Sequence, residues 1–100
     1  MTSGFRQRGA VVEAPPKDPN AKLDYTIDWT QWLDTDTITA STWEVSSPEL
    51  IIESNSNTNT ATTVWLSAGL AGQVYTVTNR ITTTSGRIQD QSFRLKIKEN

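Results

Sequence analysis

Carboxylate pairs are the residues of this sequence whose spacing could support chemistry. Asp24 and Asp28 flank Thr26 on the polar side of an alternating segment, and Asp34 and Asp36 follow shortly after. Paired carboxylates serve general acid–base catalysis or bind calcium. In a strand, residues i and i+4 lie about 13 Å apart, too far to share a proton or an ion. The second pair lacks the Gly and Glu that complete an EF-hand loop. We therefore expect no acid–base or metal site at either pair.

Nucleophilic catalysis lacks its usual partners. The sequence contains no histidine and no cysteine. A serine nucleophile therefore has no imidazole base, and thiolate chemistry, thiolate metal sites and disulfides are excluded. No Ser-x-x-Lys motif occurs, and no predicted helix follows the AGLAG segment at residues 68–72 to offer its N-terminus to a phosphate. We predict that the protein is not an enzyme and binds no cofactor.

Charge and hydropathy restrict the possible partners. Nine basic and eleven acidic side chains give a net charge of -2 and a pI near 4.9. This balance provides no electrostatic footprint for nucleic acid or an anionic membrane. No apolar run approaches the ~18 residues of a membrane-spanning helix, and the N-terminus lacks the apolar core of a signal peptide. We expect neither nucleic acid nor membrane as a partner, and synthesis in a cytoplasm.

The elements that must position these residues are strands. At 100 residues the chain is long enough for one small core, and its sixteen threonines suit half-exposed strands. About seven short alternating segments follow one another at spacings near ten residues, without helical periodicity. This pattern predicts an all-β protein, an antiparallel immunoglobulin-like (Ig-like) β-sandwich over residues 22–100.

Four details of the sandwich can be predicted. One buried face should hold Leu23, Tyr25, Ile27 and Trp29. A change of phase between Ile38/Ala40 and Trp43/Val45 predicts a β-bulge. Residues 50–53 should form a short strand, residues 54–60 a polar loop, and residues 31–36 a connection anchored by Trp32 and Leu33. The last two strands should form a hairpin that turns at Gly86, with Tyr75, Val77, Asn79 and Ile81 facing Phe93, Leu95 and Ile97 in the core, and Tyr75 resembling a tyrosine corner.

Residues 1–21 are predicted to form an extended N-terminal arm and not a part of the sandwich. Pro15 and Pro16 fix φ and remove two amide donors, which disfavours both helix and central strand. A disordered tail and an arm held by a partner or by the domain itself are both open. Residues 11–13 have strand propensity and could add a strand to a neighbouring subunit's sheet.

The tryptophans suggest further contacts. Trp29 should lie in the core, and Trp43 in the core or at the bulge. Trp65 is out of phase with Val64 and Leu66, so it should point outward, where either another subunit or the folded-back arm could cover it. Trp32, in the connection, is open to the same two interpretations.

Several segments together resemble a known family. KDPNAKLDYTIDW, VWLSAG and YTVTNRITTTSGR are similar to small virion proteins of tailed phages that are described as fiber-tail adaptor proteins, and the resemblance covers residues 17–99. It implies a non-enzymatic structural subunit with an Ig-like sandwich, present in symmetric multiples in the particle. It offers no catalytic motif.

The resulting expectation is an adaptor located in the virion, at the tail or the neck. Its partners would be other virion proteins, in the tail, fiber, neck or capsid. Capsid decoration and a carbohydrate-binding sandwich are the alternatives. The predicted contact residues are Phe5, Arg6, Arg8, Val11, Val12, Pro15 and Pro16 in the arm, and Trp32 and Trp65 in the body.

Overall fold

The computed structural model of the protein describes residues 12–99. This part of the chain contains seven strands and one helical turn. The elements, in order, are β1 (Val12–Glu13), β2 (Leu23–Asp28), α1 (Thr30–Leu33), β3 (Ile38–Val45), β4 (Leu50–Asn57), β5 (Ala61–Ala68), β6 (Val74–Thr83) and β7 (Ile88–Lys96).

The strands form two sheets. One has the order β2-β5-β4 and the other β1-β7-β6-β3. All pairings are antiparallel except that of β1 with β7, which is parallel. The sheet of β2, β5 and β4 thus packs face to face on the sheet of β3, β6 and β7, which is the arrangement of an Ig-like sandwich. The predicted fold class is confirmed.

The core lies between the sheets and follows the predicted alternation. On β6, Tyr75, Val77, Asn79 and Ile81 are all buried, and neighbouring β7 residues alternate between buried and exposed. Trp29 is 1% exposed, as predicted. Leu23, in contrast, is 41% exposed, because it begins β2 at the sheet edge, where little covers it. The other buried apolar residues are Ile27, Trp32, Leu33, Ile38, Trp43, Leu50, Val64, Leu66, Phe93, Leu95 and Ile97.

The predicted bulge is present in β3. The register with β6 shifts between Ile38 and Ala40. Ile38 and Trp43 are buried, whereas Ala40 is exposed. The prediction that Ala40 shares the face of Ile38 is wrong, because the extra residue lies between these two positions and reverses the phase earlier than the sequence indicates.

The predicted loop at residues 54–60 is largely strand. β4 continues to Asn57, and Thr58 N donates to Ala61 O in a tight turn. β4 is an edge strand whose last residues are solvent-exposed, so a polar sequence keeps its backbone pairing to β5 without an apolar face. The composition of this segment reflects exposure, and the prediction of a loop is wrong.

The connection after β2 contains the helical turn α1, which the sequence did not predict. Four residues are too few to show a 3.6-residue period. The Asp28 carboxylate accepts hydrogen bonds from Thr30 N (3.0 Å) and Thr30 Oγ1. Trp32 and Leu33 are buried and anchor the turn, as predicted.

Two predicted turns are confirmed. Gly86 has φ +91° in the β6–β7 hairpin, where Thr83 N donates to Arg87 O. The Tyr75 hydroxyl accepts a hydrogen bond from Leu70 N (3.0 Å), five residues upstream, and donates to Glu49 (2.8 Å). This is the geometry of a tyrosine corner, which fixes the turn before β6.

Candidate docking surfaces

The root of the arm is part of the sandwich. β1 lies parallel to β7, with Val12 opposite Phe93, and Ala14 N donates to Arg94 O (2.9 Å). Lys17 N then donates to Lys96 O and Lys17 O accepts from Lys98 N. The prediction that this segment adds to a neighbour's sheet is corrected for Val12–Glu13, because the open edge of its own β7 offers the same backbone partners at no cost of association.

Lys17 is the buried residue that fastens this root. Its side chain is 1% exposed, and its ammonium donates to Ala68 O (2.7 Å) and Asp18 O (2.9 Å). Burial lowers the pKa of Lys17, because weakly polar surroundings disfavour its charge, and neighbouring Asp18 partly opposes this. Sequence reasoning missed Lys17, since a lysine in a polar leader gives no signal of burial.

An apolar groove of about 200 Å³ separates the root from β2. Tyr25 and Phe93 line it with ring centroids 5.4 Å apart, and Pro15 stands at its rim. The buried Tyr25 hydroxyl has no hydrogen-bond partner among residues 12–99. Pro15 and Pro16 are exposed and thus accessible to a partner. Phe5, Arg6, Arg8 and Val11 lie outside the described residues, so their predicted contacts remain predictions.

Trp65 lies on the outer face of the three-stranded sheet. It is 38% exposed on the central strand β5, opposite Asp24 on β2 and Ser54 on β4. Ile51, diagonal to it, is 46% exposed, and Glu53 accepts a hydrogen bond from Ser67 Oγ. We call Asp24, Ile51, Glu53 and Trp65 the Trp65 face. The outward orientation predicted for Trp65 is therefore observed, and no described residue of the arm covers it.

Trp32, the other body residue predicted to bind a partner, is 8% exposed. Its ring packs edge-on against Trp29 at 5.6 Å, and the Arg87 guanidinium covers it at 4.1 Å. Little of the indole is left for a partner, so Trp65 is the stronger candidate. With Trp29 and Trp43 also in the core, residues 12–99 expose a single large indole surface, where a glycan-stacking platform would favour several.

Beside Trp32, a polar depression of about 500 Å³ lies between the α1–β3 loop and the β6–β7 hairpin. Asp36 joins its two walls: its carboxylate accepts hydrogen bonds from Thr37 N (2.9 Å), Ser85 N (3.2 Å), Ser85 Oγ and Arg87 Nε (3.1 Å). The hydroxyl of Ser85, with further donors, holds the pKa of Asp36 far below its usual range. These donors saturate the carboxylate, so Asp36 is a structural tie between the loops.

The two carboxylate pairs lie in different elements, one on β2 and the other in the connection between α1 and β3. Asp24 and Asp28 share the outer side of β2, and the hydrogen bonds from Thr30 lower the pKa of Asp28. Among residues 12–99, no three carboxylates come together to hold a metal ion. Within the same range no helix is long and apolar enough to cross a membrane.

Comparison with known proteins supplies the identity that this geometry alone does not. The model of the Gp77 family, podophage GP4 fiber-tail adaptor protein gp77, matches residues 17–96. The chain belongs to this family. The match begins at Lys17, the buried anchor of the arm root, and ends at the last residue of β7. The residues before Lys17 lie outside the match.

One solved structure similar to the chain is the PKD domain from KIAA 1837 protein, determined in solution. It is 19% identical, with a TM-score of 0.48, over 94% of this chain and 93% of that chain. No curated protein matched the chain.

Proposed function

We propose that this protein is a non-enzymatic structural subunit of a phage virion, an adaptor that docks to tail, fiber or neck proteins through its N-terminal arm and the Trp65 face. The observation that supports it most directly is the family match over residues 17–96, which spans most of the chain. The sandwich provides a rigid body, and the arm and the Trp65 face provide two candidate contacts.

The geometry of the arm root supports a docking role for the segment before it. Pairing of β1 with β7 and the burial of Lys17 fix the position of Val12, to which residues 1–11 are joined in sequence. A fixed origin limits the volume that an attached segment can search, which raises its effective concentration at a nearby site. Copies arranged symmetrically in the particle would add avidity.

The test of this proposal is to delete residues 1–11 in the phage that encodes the protein and to image purified particles by cryo-EM. The deletion keeps β1 and Lys17, so the sandwich should stay intact. We expect wild-type density at the tail or its fiber junction, and at least a severalfold loss of occupancy for the deletion.

Thermal unfolding of the purified deletion protein is the control, and its midpoint should match that of the full chain. Full occupancy of the deletion protein would contradict docking through the arm. Wild-type density spread over the capsid lattice would replace tail attachment with capsid decoration, and absence from the particle would overturn the virion role.

A further inference from the structure

The Trp65 face is acidic, and within residues 12–99 its carboxylates have no cationic partners. No basic side chain among residues 12–99 forms an ion pair with Asp24 or Glu53. Lys22, exposed two residues before Asp24, forms an ion pair with neither carboxylate. On the outer face of the other sheet, Arg80 pairs with Asp90, and Arg94 with Glu13. Within residues 12–99, the carboxylates of the Trp65 face are therefore unpaired, whereas Asp90 and Glu13 on the other sheet have basic partners.

The charge that would complement this face occurs in the sequence of residues 1–11. This segment contains Arg6 and Arg8, no acidic residue, and the aromatic Phe5. The remainder of the chain therefore holds seven basic (9 − 2) and eleven acidic side chains, a net charge of -4. An exposed indole with flanking carboxylates suits a segment that alternates aromatic and guanidinium groups, because guanidinium stacks on indole and pairs with carboxylate.

We propose that the Trp65 face binds residues 1–11 of a second copy of this chain. The inference rests on the proposed function and deepens it, since it identifies one partner of the arm and of the Trp65 face as the neighbouring copy. Such a contact joins two different surfaces of identical subunits, and repeated contacts of this type close into rings or continue as filaments.

The direction of β1 favours a second copy over the same chain. β1 runs parallel to β7, so its N-terminal end points toward the Ile88 end of β7. Trp65 on β5 lies opposite Asp24, which is in the first half of β2. For the same chain's segment to reach Trp65, it would have to pass the edge of β2 and reverse direction. Eleven residues span at most about 40 Å, enough to reach an adjacent domain.

The first experiment uses a synthetic peptide of residues 1–11 and the protein that lacks them. Trp65 is the one large indole exposed in residues 12–99, so its side-chain N–H resonance, assigned with Trp65→Phe, reports on the face. We expect the peptide to shift this resonance in a saturable manner. An Arg6→Glu/Arg8→Glu peptide is the matched control and should bind at least about fivefold more weakly.

Variants of the protein localise the site. Trp65→Ala should weaken peptide binding by about 30-fold, as for a central aromatic contact. Asp24→Lys with Glu53→Lys should weaken it severalfold and restore binding of the Arg6→Glu/Arg8→Glu peptide. Lys96→Glu, on the exposed side of β7, is the control and should leave binding unchanged. No shift of the Trp65 resonance, or equal binding by both peptides, would overturn the inference.

Light scattering of the full chain distinguishes binding to a second copy from binding within the same chain. We expect its mean mass to rise with concentration, and the mass of the protein lacking residues 1–11 to stay that of a monomer. A Trp65 shift that is independent of concentration would show that the same chain covers its own face and would overturn the inference. That outcome leaves virion incorporation to be measured separately, so the proposed function can survive failure here.

Discussion

At the scale of single residues, the buried ammonium of Lys17 is the least expected feature. A charged side chain inside a small domain is costly unless hydrogen bonds compensate it. Here two backbone carbonyls do so, and one of them belongs to Ala68, whose φ of +64° is unusual for a residue with a Cβ. Lys17 therefore joins the arm root to the end of β5. Its contacts require an ammonium at the end of a long chain.

Replacement of Lys17 by Met should destabilise the protein by about 1–3 kcal/mol, because it removes the hydrogen bonds that the ammonium donates to Ala68 O and Asp18 O. The change keeps most of the apolar stem. Urea unfolding of the purified variant measures the effect. Lys22→Met, five residues further on at an exposed position, is the matched control and should change stability by less than about 0.5 kcal/mol. Equal effects of both substitutions would show that the Lys17 contacts contribute nothing to stability.

At the scale of elements, the tie between the α1–β3 loop and the β6–β7 hairpin depends on one carboxylate. Asp36 is 8% exposed at its side chain and receives donors from both segments. A backbone hydrogen bond from Thr84 N to Thr37 O connects the same two segments. The tie holds Arg87 over Trp32 and so closes this end of the core.

The pH dependence of stability tests this tie. The pKa of Asp36 is lower in the folded than in the unfolded chain, where it is about 3.9. The unfolded state therefore binds more protons between these two values, and stability falls as the pH decreases from about 5 through 3.9. Asp36→Asn should be less stable than wild type at pH 7 and should lose less stability upon acidification.

The measurement for this prediction is urea unfolding of both proteins from pH 7 to pH 2.5. Ser85→Ala removes one donor and should reduce the pH dependence only in part. A profile for Asp36→Asn that runs parallel to wild type over this range would contradict the prediction.

At the scale of the whole molecule, a buried polar network joins the two sheets. Asn79 on β6 accepts hydrogen bonds from Thr62 Oγ1 on β5 (2.7 Å) and from Trp29 Nε1 (3.1 Å). Its amide donates to Ser41 Oγ and to Thr42 O, both at 2.9 Å. Every hydrogen-bonding group of the Asn79 side chain is thereby used inside the core. The network fixes how one sheet lies on the other, which apolar contacts alone specify less strictly.

Replacement of Asn79 by Leu should cost about 2–4 kcal/mol, because Trp29, Thr62 and Thr42 each lose a buried hydrogen bond to the Asn79 side chain. Denaturant unfolding measures this loss. Asn55→Leu, the same substitution at an exposed position of edge strand β4, is the control and should change stability by less than about 0.5 kcal/mol. A cost for Asn79→Leu no larger than that of Asn55→Leu would show that the network is dispensable.

Local sequence patterns predicted the sandwich, the faces of β6 and β7, the Gly86 turn and the tyrosine corner. Each of these features depends on alternation of apolar and polar residues or on turn residues close in sequence. The patterns also placed Asn79 on the buried face of β6 but not its partners, which come from β3, β5 and the end of β2. They failed for residues 54–57, where exposure of an edge strand gives the composition of a loop, and for α1, which is too short to have a period.

The sequence by itself determined most of the strands and their apolar faces, and that the chain lacks the histidine and cysteine of common catalysis. The tertiary structure alone decided that β1 pairs with its own β7, that Lys17 is buried, and that Asp24 and Glu53 come to lie beside Trp65. The physical reason is that alternation is a local property of the backbone. Pairing and burial depend instead on residues distant in sequence, and only the folded chain brings these together.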